Sequence, residues 1–413
     1  MKCNILCVGT ELLLGQIVDT NSQFIAEKLF DAGIESYEQR TIGDNEDRIK
    51  KSITELLANA DALIITGGLG PTHDDITREV TASVMGVDLI LDDAIKNHMQ
   101  SFFSKRNREM PSSNIRQAMV PQGAIVINNK LGTAPGLICP IAGKHVYLVP
   151  GVPHEMKPMI EETIVPHLQK SKQGNEIIIN RTIKTWGIPE SELAVILNDV
   201  IVDGETSPVK IAFLARGING IWIKLSIKSD DKVQANKLLA IEEEKVKEIL
   251  GDSVYAINDE TMESMVIALL NEKGISLSVV ESLTGGMIQS RIVDVAGSSE
   301  VFIGGAVTYA KQLKQELLGV SADDVYTSEC AIQMAEGIRI KTGSDIAIST
   351  TGVAGPEDEG DHPAGEVHVG ISTATQNFSQ LYKFSGDRVR VREYTTISAL
   401  NLLRRHLLGH KLD

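Results

Sequence analysis

Along the first 170 residues, short apolar runs alternate with stretches in which apolar positions recur every three or four residues. The runs at 4–8, 34–41, 62–66 and 145–149 each end in glycine, proline or polar residues, and so predict buried strands. The stretches at 21–30, 47–57 and 76–85 carry the helical spacing. Strand and helix in this alternation predict parallel strands with crossover helices, an α/β layer structure.

A polar segment at 169–175 has no apolar period and marks a boundary. Beyond it, strands at 176–184, 210–214 and 221–227 and helices opening at Pro189 and spanning 230–249 predict a small α+β module. Its Gly217-Ile218-Asn219-Gly220 has the Gly-x-x-Gly form of a nucleic-acid clamp. Lying between two adjacent strands without flanking basic pairs, it reads better as a hairpin turn. From 258 the alternation resumes, with helices at 262–273, 328–342 and 389–408 and strands at 276–280, 302–308, 345–349, 366–372 and 380–384. The expected architecture is multidomain α/β: 1–170 and 257–413 as three-layer domains, joined by the module at 171–256.

With 413 residues, several cores are expected. Acidic residues outnumber basic ones 55 to 40, which disfavours a polyphosphate partner such as nucleic acid. Cys3, Cys7, Cys139 and Cys330 have neither zinc-site spacing nor the density of a disulfide scaffold, and read as buried thiols. No apolar run reaches the roughly 18 residues of a membrane span, and the N-terminus has no signal-peptide core. A cytoplasmic protein is expected.

Two stretches carry chemistry. In the C-terminal part, Glu281-Ser282-Leu283-Thr284-Gly285-Gly286 joins a strand to a helix, where glycines let backbone N–H groups face an anion. Gly297-Ser298-Ser299, Tyr309, Lys311 and Lys314 follow within a short window. A serine is a poor nucleophile until a base takes its proton, and a lysine can do so once burial lowers its pKa. In the N-terminal part, Thr66-Gly67-Gly68-Leu69-Gly70-Pro71-Thr72-His73-Asp74-Asp75 also joins strand to helix; Asp74 and Asp75 offer hard oxygens to a cation or cap the helix.

The C-terminal set, with Thr351-Gly352-Val353-Ala354-Gly355-Pro356, resembles the C-terminal domain of CinA proteins. That resemblance implies deamidation of nicotinamide mononucleotide to nicotinate mononucleotide and ammonia, with no cofactor. It implies Ser299 as nucleophile with Ser282 as rival, Lys314 as base with Lys311 as alternative, and Tyr309 as an orienting hydroxyl. Thr284, Gly285, Gly286, Thr351, Gly352, Arg388 and Arg392 are the expected substrate contacts. Where relatives carry glycines and then Lys-Pro after Gly355-Pro356, this chain has Glu357-Asp358-Glu359-Gly360-Asp361-His362-Pro363, and its acids are expected to face solvent.

The N-terminal segment, with Gly9-Thr10-Glu11, Gly15, the stretch 131–136 and the stretch 151–156, resembles the molybdopterin-binding domain of molybdenum-cofactor proteins. In CinA proteins this domain implies hydrolysis of ADP-ribose with a divalent metal (Mg, Co or Mn). Glu11, Asp44, Asp74 and Asp75 would surround metal and phosphates, with Gly67, Gly68 and Asn21 near the nucleotide. A pterin-handling nucleotidyl transferase and a non-catalytic competence or DNA-damage accessory protein are the alternatives. A homodimer is expected.

Overall fold

The structure, a computed structural model, describes residues 1–171, 177–198, 200 and 207–410. They gather into two compact units: Met1–Asn180 with Ile227–Asn236, and Arg181–Ser226 with the described chain from Lys237 onward. Most of the small module thus groups with the C-terminal part. Residues 172–176, where the boundary and the start of a strand were expected, lie outside the described residues.

In the first unit, strands β1 (Cys3–Val8), β2 (Gln39–Ile42) and β3 (Ala62–Thr66) are followed by β4 (Leu89–Leu91), β5 (Met119–Pro121), β6 (Ile125–Ile127), β7 (Gly136–Ile141) and β8 (Lys144–Val149). A six-stranded sheet runs β2-β1-β3-β8-β7-β6, and β4 pairs with β5 apart from it. The first four strands of that order are parallel; β7 runs against them, and β6, antiparallel to β7, runs with them. Alternate residues feed two cores: Leu6, Leu63 and Leu148 on one face with Ile49 and Ile53, Ile5, Ile64 and Tyr147 on the other with Ile25 and Leu29. This period of two is what a sheet covered by helices on both faces requires. The strand expected at 34–41 is shorter. The Asn4 side chain takes the Glu38 N–H at 2.9 Å, so regular pairing of this edge strand begins only at Gln39.

A four-stranded sheet, β10-β11-β9-β12, is built from β9 (Ile177–Thr185), β10 (Val209–Ala215), β11 (Ile221–Ser229) and β12 (Val254–Ile257). The Gly217–Gly220 segment is a single tight turn between β10 and β11. Its internal bonds run from Arg216 N–H to Gly220 O at 2.9 Å and from Asn219 N–H to Arg216 O at 3.1 Å. Trp186 and Trp222 donate their indole N–H groups to Ile218 O and Asn219 O.

The C-terminal sheet runs β14-β13-β15-β16-β17, from β13 (Leu277–Glu281), β14 (Phe302–Val307), β15 (Ile346–Gly352), β16 (Glu366–Thr373) and β17 (Asn377–Lys383). Strands β14, β13 and β15 are parallel; β16 pairs antiparallel with β15, and β17 antiparallel with β16. Helix Arg388–Leu407 packs Ile397, Leu400 and Leu403 into a core with Val279, Ile348 and Ile371. As in open α/β sheets generally, the loops at the carboxyl ends of the parallel strands are where a site can form. The loops after β13, β14 and β15 carry Ser282, Tyr309 and Ala354.

Candidate functional site

Those three loops enclose a cavity of about 420 Å³, bordered by Ser282, Leu283, Tyr309, Lys314, Tyr326 and Arg388 among others. Lys314 comes from helix Lys311–Leu318 and is 1% exposed. Its Nζ donates to Thr308 O at 2.8 Å and Tyr309 O at 3.2 Å, and lies 3.0 Å from Ser282 Oγ. These partners are neutral, so little offsets the loss of water around the ammonium. Burial accordingly holds the amine below the ordinary lysine value, with a smaller opposing effect from Cys330. An amine so lowered, in hydrogen-bond reach of a buried hydroxyl, has the geometry a nucleophile and its base require. The rival base, Lys311, is exposed and donates to Asp323 O at 2.5 Å.

Ser299, expected as nucleophile, is not brought to this cavity. It lies in the short turn Ser298–Glu300 before β14, whereas Lys314 follows that strand's carboxyl end. Six strand residues at ~3.3 Å each set the two roughly 20 Å apart. Ser299 is also exposed. The structure therefore corrects the assignment and leaves Ser282 beside the amine.

The glycine turn after β13 is also not the anion cradle expected. Glu281 is fully buried, and its carboxylate accepts from the N–H groups of Gly286 at 2.9 Å, Ile288 at 3.2 Å and Gln289 at 3.0 Å. The start of helix Met287–Val293 is thus filled by the protein's own anion. Thr284 is buried, with its hydroxyl 2.8 Å from that of Thr350. Arg392, expected at the phosphate, instead donates to Leu283 O at 2.9 Å and Thr284 O at 3.2 Å, bracing the turn. What the turn leaves open is the Leu283 N–H: it donates to no protein group among the described residues, and Leu283 borders the cavity. An N–H next to a nucleophile is where an oxyanion would be held.

Arg388 borders the cavity and reaches Gly355 O at 2.7 Å and the Tyr309 hydroxyl at 2.6 Å. Gly352 also borders it; a Cβ there would sit 2.4 Å from Glu366 O. Thr351 lies behind the wall, its hydroxyl bonded to Val325 O. Of the acids expected to face solvent, Glu357 and Glu359 are exposed yet border the cavity. Asp358 turns back to accept the Ala364 N–H at 2.7 Å. The role of Glu281 and the presence of Tyr326 were not foreseen. A carboxylate ending a strand five residues before a helix was a usable signal for the first. Tyr326 comes from a loop with no motif.

In the first unit, loops at the carboxyl ends of β1, β2, β3 and β8 enclose a cavity of about 670 Å³. Glu11, Asn21, Asp44, Gly67, Gly68, Asp74 and Asp75 all border it, as do Asp19 and Glu155. Gly67 and Gly68 both have positive φ, and a Cβ would lie 2.1 Å from Val8 O and from Thr77 Oγ1 respectively, so glycine is required. The N–H groups of Gly68, Leu69 and Gly70 donate to no protein group among the described residues, a nest open to an anion. Asn21 bonds Thr66 Oγ1 and Gly151 O, tying two of the loops together. His73 is exposed and does not border the cavity.

The four carboxylates do not converge. No three histidine, cysteine or acidic groups among the described residues are placed to hold a metal ion. Asp44 accepts from Thr10 N–H and hydroxyl, each at 2.9 Å, and Asp75 accepts from Thr72. Such hard oxygens fit a divalent cation that shares one or two of them with a ligand's phosphates, not a cage made by protein alone. No helix among the described residues is long and apolar enough to cross a membrane.

Family models match almost the whole chain. One described as "Probable molybdopterin binding domain" covers residues 4–170, "Damage-inducible protein CinA KH domain" covers 180–256, and "CinA C-terminal domain" covers 259–407. A competence-damage inducible protein of Caldicellulosiruptor bescii is 43% identical over 99% of this chain and 100% of its own length. A CinA-like protein of Dictyoglomus turgidum is 39% identical over the same shares. The crystal structure of a CinA protein of Thermoplasma acidophilum, 32% identical, covers 41% of this chain and 98% of its own with a TM-score of 0.37. Relatives this similar from end to end, with two CinA domain matches following a molybdopterin-binding domain match, show that the chain belongs to the CinA family.

Proposed function

We propose that the C-terminal cavity hydrolyses the carboxamide of nicotinamide mononucleotide, giving nicotinate mononucleotide and ammonia. The observation that carries this reading is the buried Lys314 amine 3.0 Å from Ser282 Oγ at a cavity wall. Neutral Lys314 takes the hydroxyl proton as Ser282 Oγ bonds to the carboxamide carbon. The oxyanion that forms meets the Leu283 N–H. Collapse of the tetrahedral adduct breaks the C–N bond, and the nitrogen leaves as ammonia with the proton returned from Lys314. Water then attacks the acyl-serine ester, yielding the carboxylate and restoring the hydroxyl. Tyr309 and Arg388, already hydrogen-bonded to each other, orient the nucleotide at the mouth, with the guanidinium as the phosphate partner.

The N-terminal cavity supports a second activity, hydrolysis of the ADP-ribose pyrophosphate. The open nest at Gly68–Gly70 suits a phosphate, and one or two of Glu11, Asp44, Asp74 and Asp75, together with the ligand's phosphates, would hold a divalent cation that polarises a phosphoryl oxygen.

The test is ammonia release from nicotinamide mononucleotide by the full-length chain and by Ser282→Ala, Lys314→Ala and Ser299→Ala. The first two should lose the activity by at least about 10³-fold, and the third should stay within about twofold of wild type. Loss in Ser299→Ala with activity kept in Ser282→Ala would refute the site.

A further inference from the structure

The wall of the C-terminal cavity has an unsatisfied negative side. Glu357 and Glu359 border the cavity, and neither carboxylate takes a hydrogen bond or ion pair from a protein group among the described residues. They do not hang on a loose loop. Glu359 and His362 exchange backbone bonds at 2.9 and 3.1 Å. The His362 ring is clamped between Asp324 at 2.7 Å and Glu366 at 3.1 Å. Tyr326 packs its ring 5.7 Å from that of His362, and with Tyr309 it puts two aromatic rings on the same wall. Burial raises the Tyr326 phenol above its usual value, and the nearby Glu359, Tyr309 and Asp324 push it the same way. The cations bordering this cavity are turned to neutral acceptors: Arg388 to Gly355 O and the Tyr309 hydroxyl, Lys311 to Asp323 O.

Two unpaired carboxylates beside two aromatic faces are complementary to a flat cation, because both ring quadrupole and carboxylate attract positive charge. We propose that Glu357 and Glu359, with the rings of Tyr309 and Tyr326, recognise the positive charge of a pyridinium ring and so select the oxidised nicotinamide nucleotide over neutral amides. This rests on the deamidase reading of the cavity and adds to it the feature that sets substrate choice.

The test uses the full-length chain and the double variant Glu357→Gln/Glu359→Gln, both changes at exposed positions. Ammonia release gives KM for nicotinamide mononucleotide. Its reduced form, which keeps carboxamide and phosphate but has a neutral ring, is assayed as a competing ligand. The variant should raise KM for the oxidised nucleotide about tenfold, with a smaller effect on kcat, and leave the inhibition constant of the reduced form within about twofold. An unchanged KM would mean that the two carboxylates are only solvated, and would overturn the proposal. A second arm needs no turnover: calorimetric titration with 1-methylnicotinamide, a pyridinium without phosphate, against neutral nicotinamide. Binding of the cation that is lost in the variant supports the proposal, and equal binding of both compounds overturns it. Should the wild-type chain release no ammonia from the nucleotide, the deamidase reading falls. The titration then still decides whether the wall selects a pyridinium.

Discussion

The two glycine turns of this chain look alike in sequence and differ in what they leave open. After β3, Gly67 and Gly68 lead into a loop whose next amides donate to no protein group among the described residues, and Glu11, Asp44, Asp74 and Asp75 border the same cavity. After β13, Gly285 and Gly286 lead into a helix whose first amides are taken by Glu281, and the group beside Ser282 is a lysine packed out of water. The first site depends on what a ligand brings. The second carries its chemistry in its own side chains. One acidic residue at a strand's end is enough to turn an anion cradle into a rigid support for the serine that follows it.

The sharpest way to break this contrast is Lys314→Met, which keeps the bulk and removes the base. Deamidation should fall at least about 10³-fold in an ammonia-release assay, while ADP-ribose hydrolysis stays within about twofold. Parallel loss of both would mean that the sites do not work separately. Next in size, Asp75→Asn should lower ADP-ribose hydrolysis about 10²-fold and spare deamidation, measured with added Mg²⁺. Activity unaffected by the change would remove Asp75 from the cation site.

The glycines give a purely steric comparison. Gly67 and Gly286 have nearly the same φ, +100° and +97°, but a Cβ would meet Val8 O at 2.1 Å in one and only Val307 Cγ2 at 3.8 Å in the other. Gly67→Ala should cost about 3 kcal/mol or more in urea unfolding, and Gly286→Ala about 1 kcal/mol. Equal losses would show that backbone strain alone, not the close approach of β1, explains the first turn. The smallest effect is in pH. Only neutral Lys314 can accept a proton, and burial lowers its pKa, so the deamidation rate should rise with pH and level off below the ordinary 10.5. By linkage the same group costs the fold stability as pH falls through the lowered value, because the folded state then has to bury a charge. ADP-ribose hydrolysis should lack this limb.

Much of the frame was legible because apolar periodicity and burial are the same fact seen twice. Leu63 and Ile64 face opposite cores because successive strand residues point to opposite sides, and both runs read as strands in a two-faced sheet. Lys314 and Tyr309 were legible as a pair near a strand's end. The choice of Ser299 over Ser282 failed because proximity in sequence does not say at which end of a strand a residue stands. Ser299 is closer to Lys314 along the chain but at the far end of the sheet, and Ser282 reaches the amine only because β13 lies parallel beside β14. Arg392 and Glu281 were misread or missed for another reason: whether a charged group serves a ligand or the backbone depends on which carbonyl or amide lies within about 3 Å of it, and spacing does not report that.

Both tryptophans of the chain, Trp186 and Trp222, donate to carbonyls of the Gly217–Gly220 turn. Ultraviolet emission excited in the indole band therefore watches one hairpin of the small sheet and, through Trp186, its packing on the C-terminal core, while neither ring borders either cavity. A melting curve followed by that emission reports when this hairpin loosens, and comparing it with circular dichroism of the whole chain separates local from general unfolding without any label.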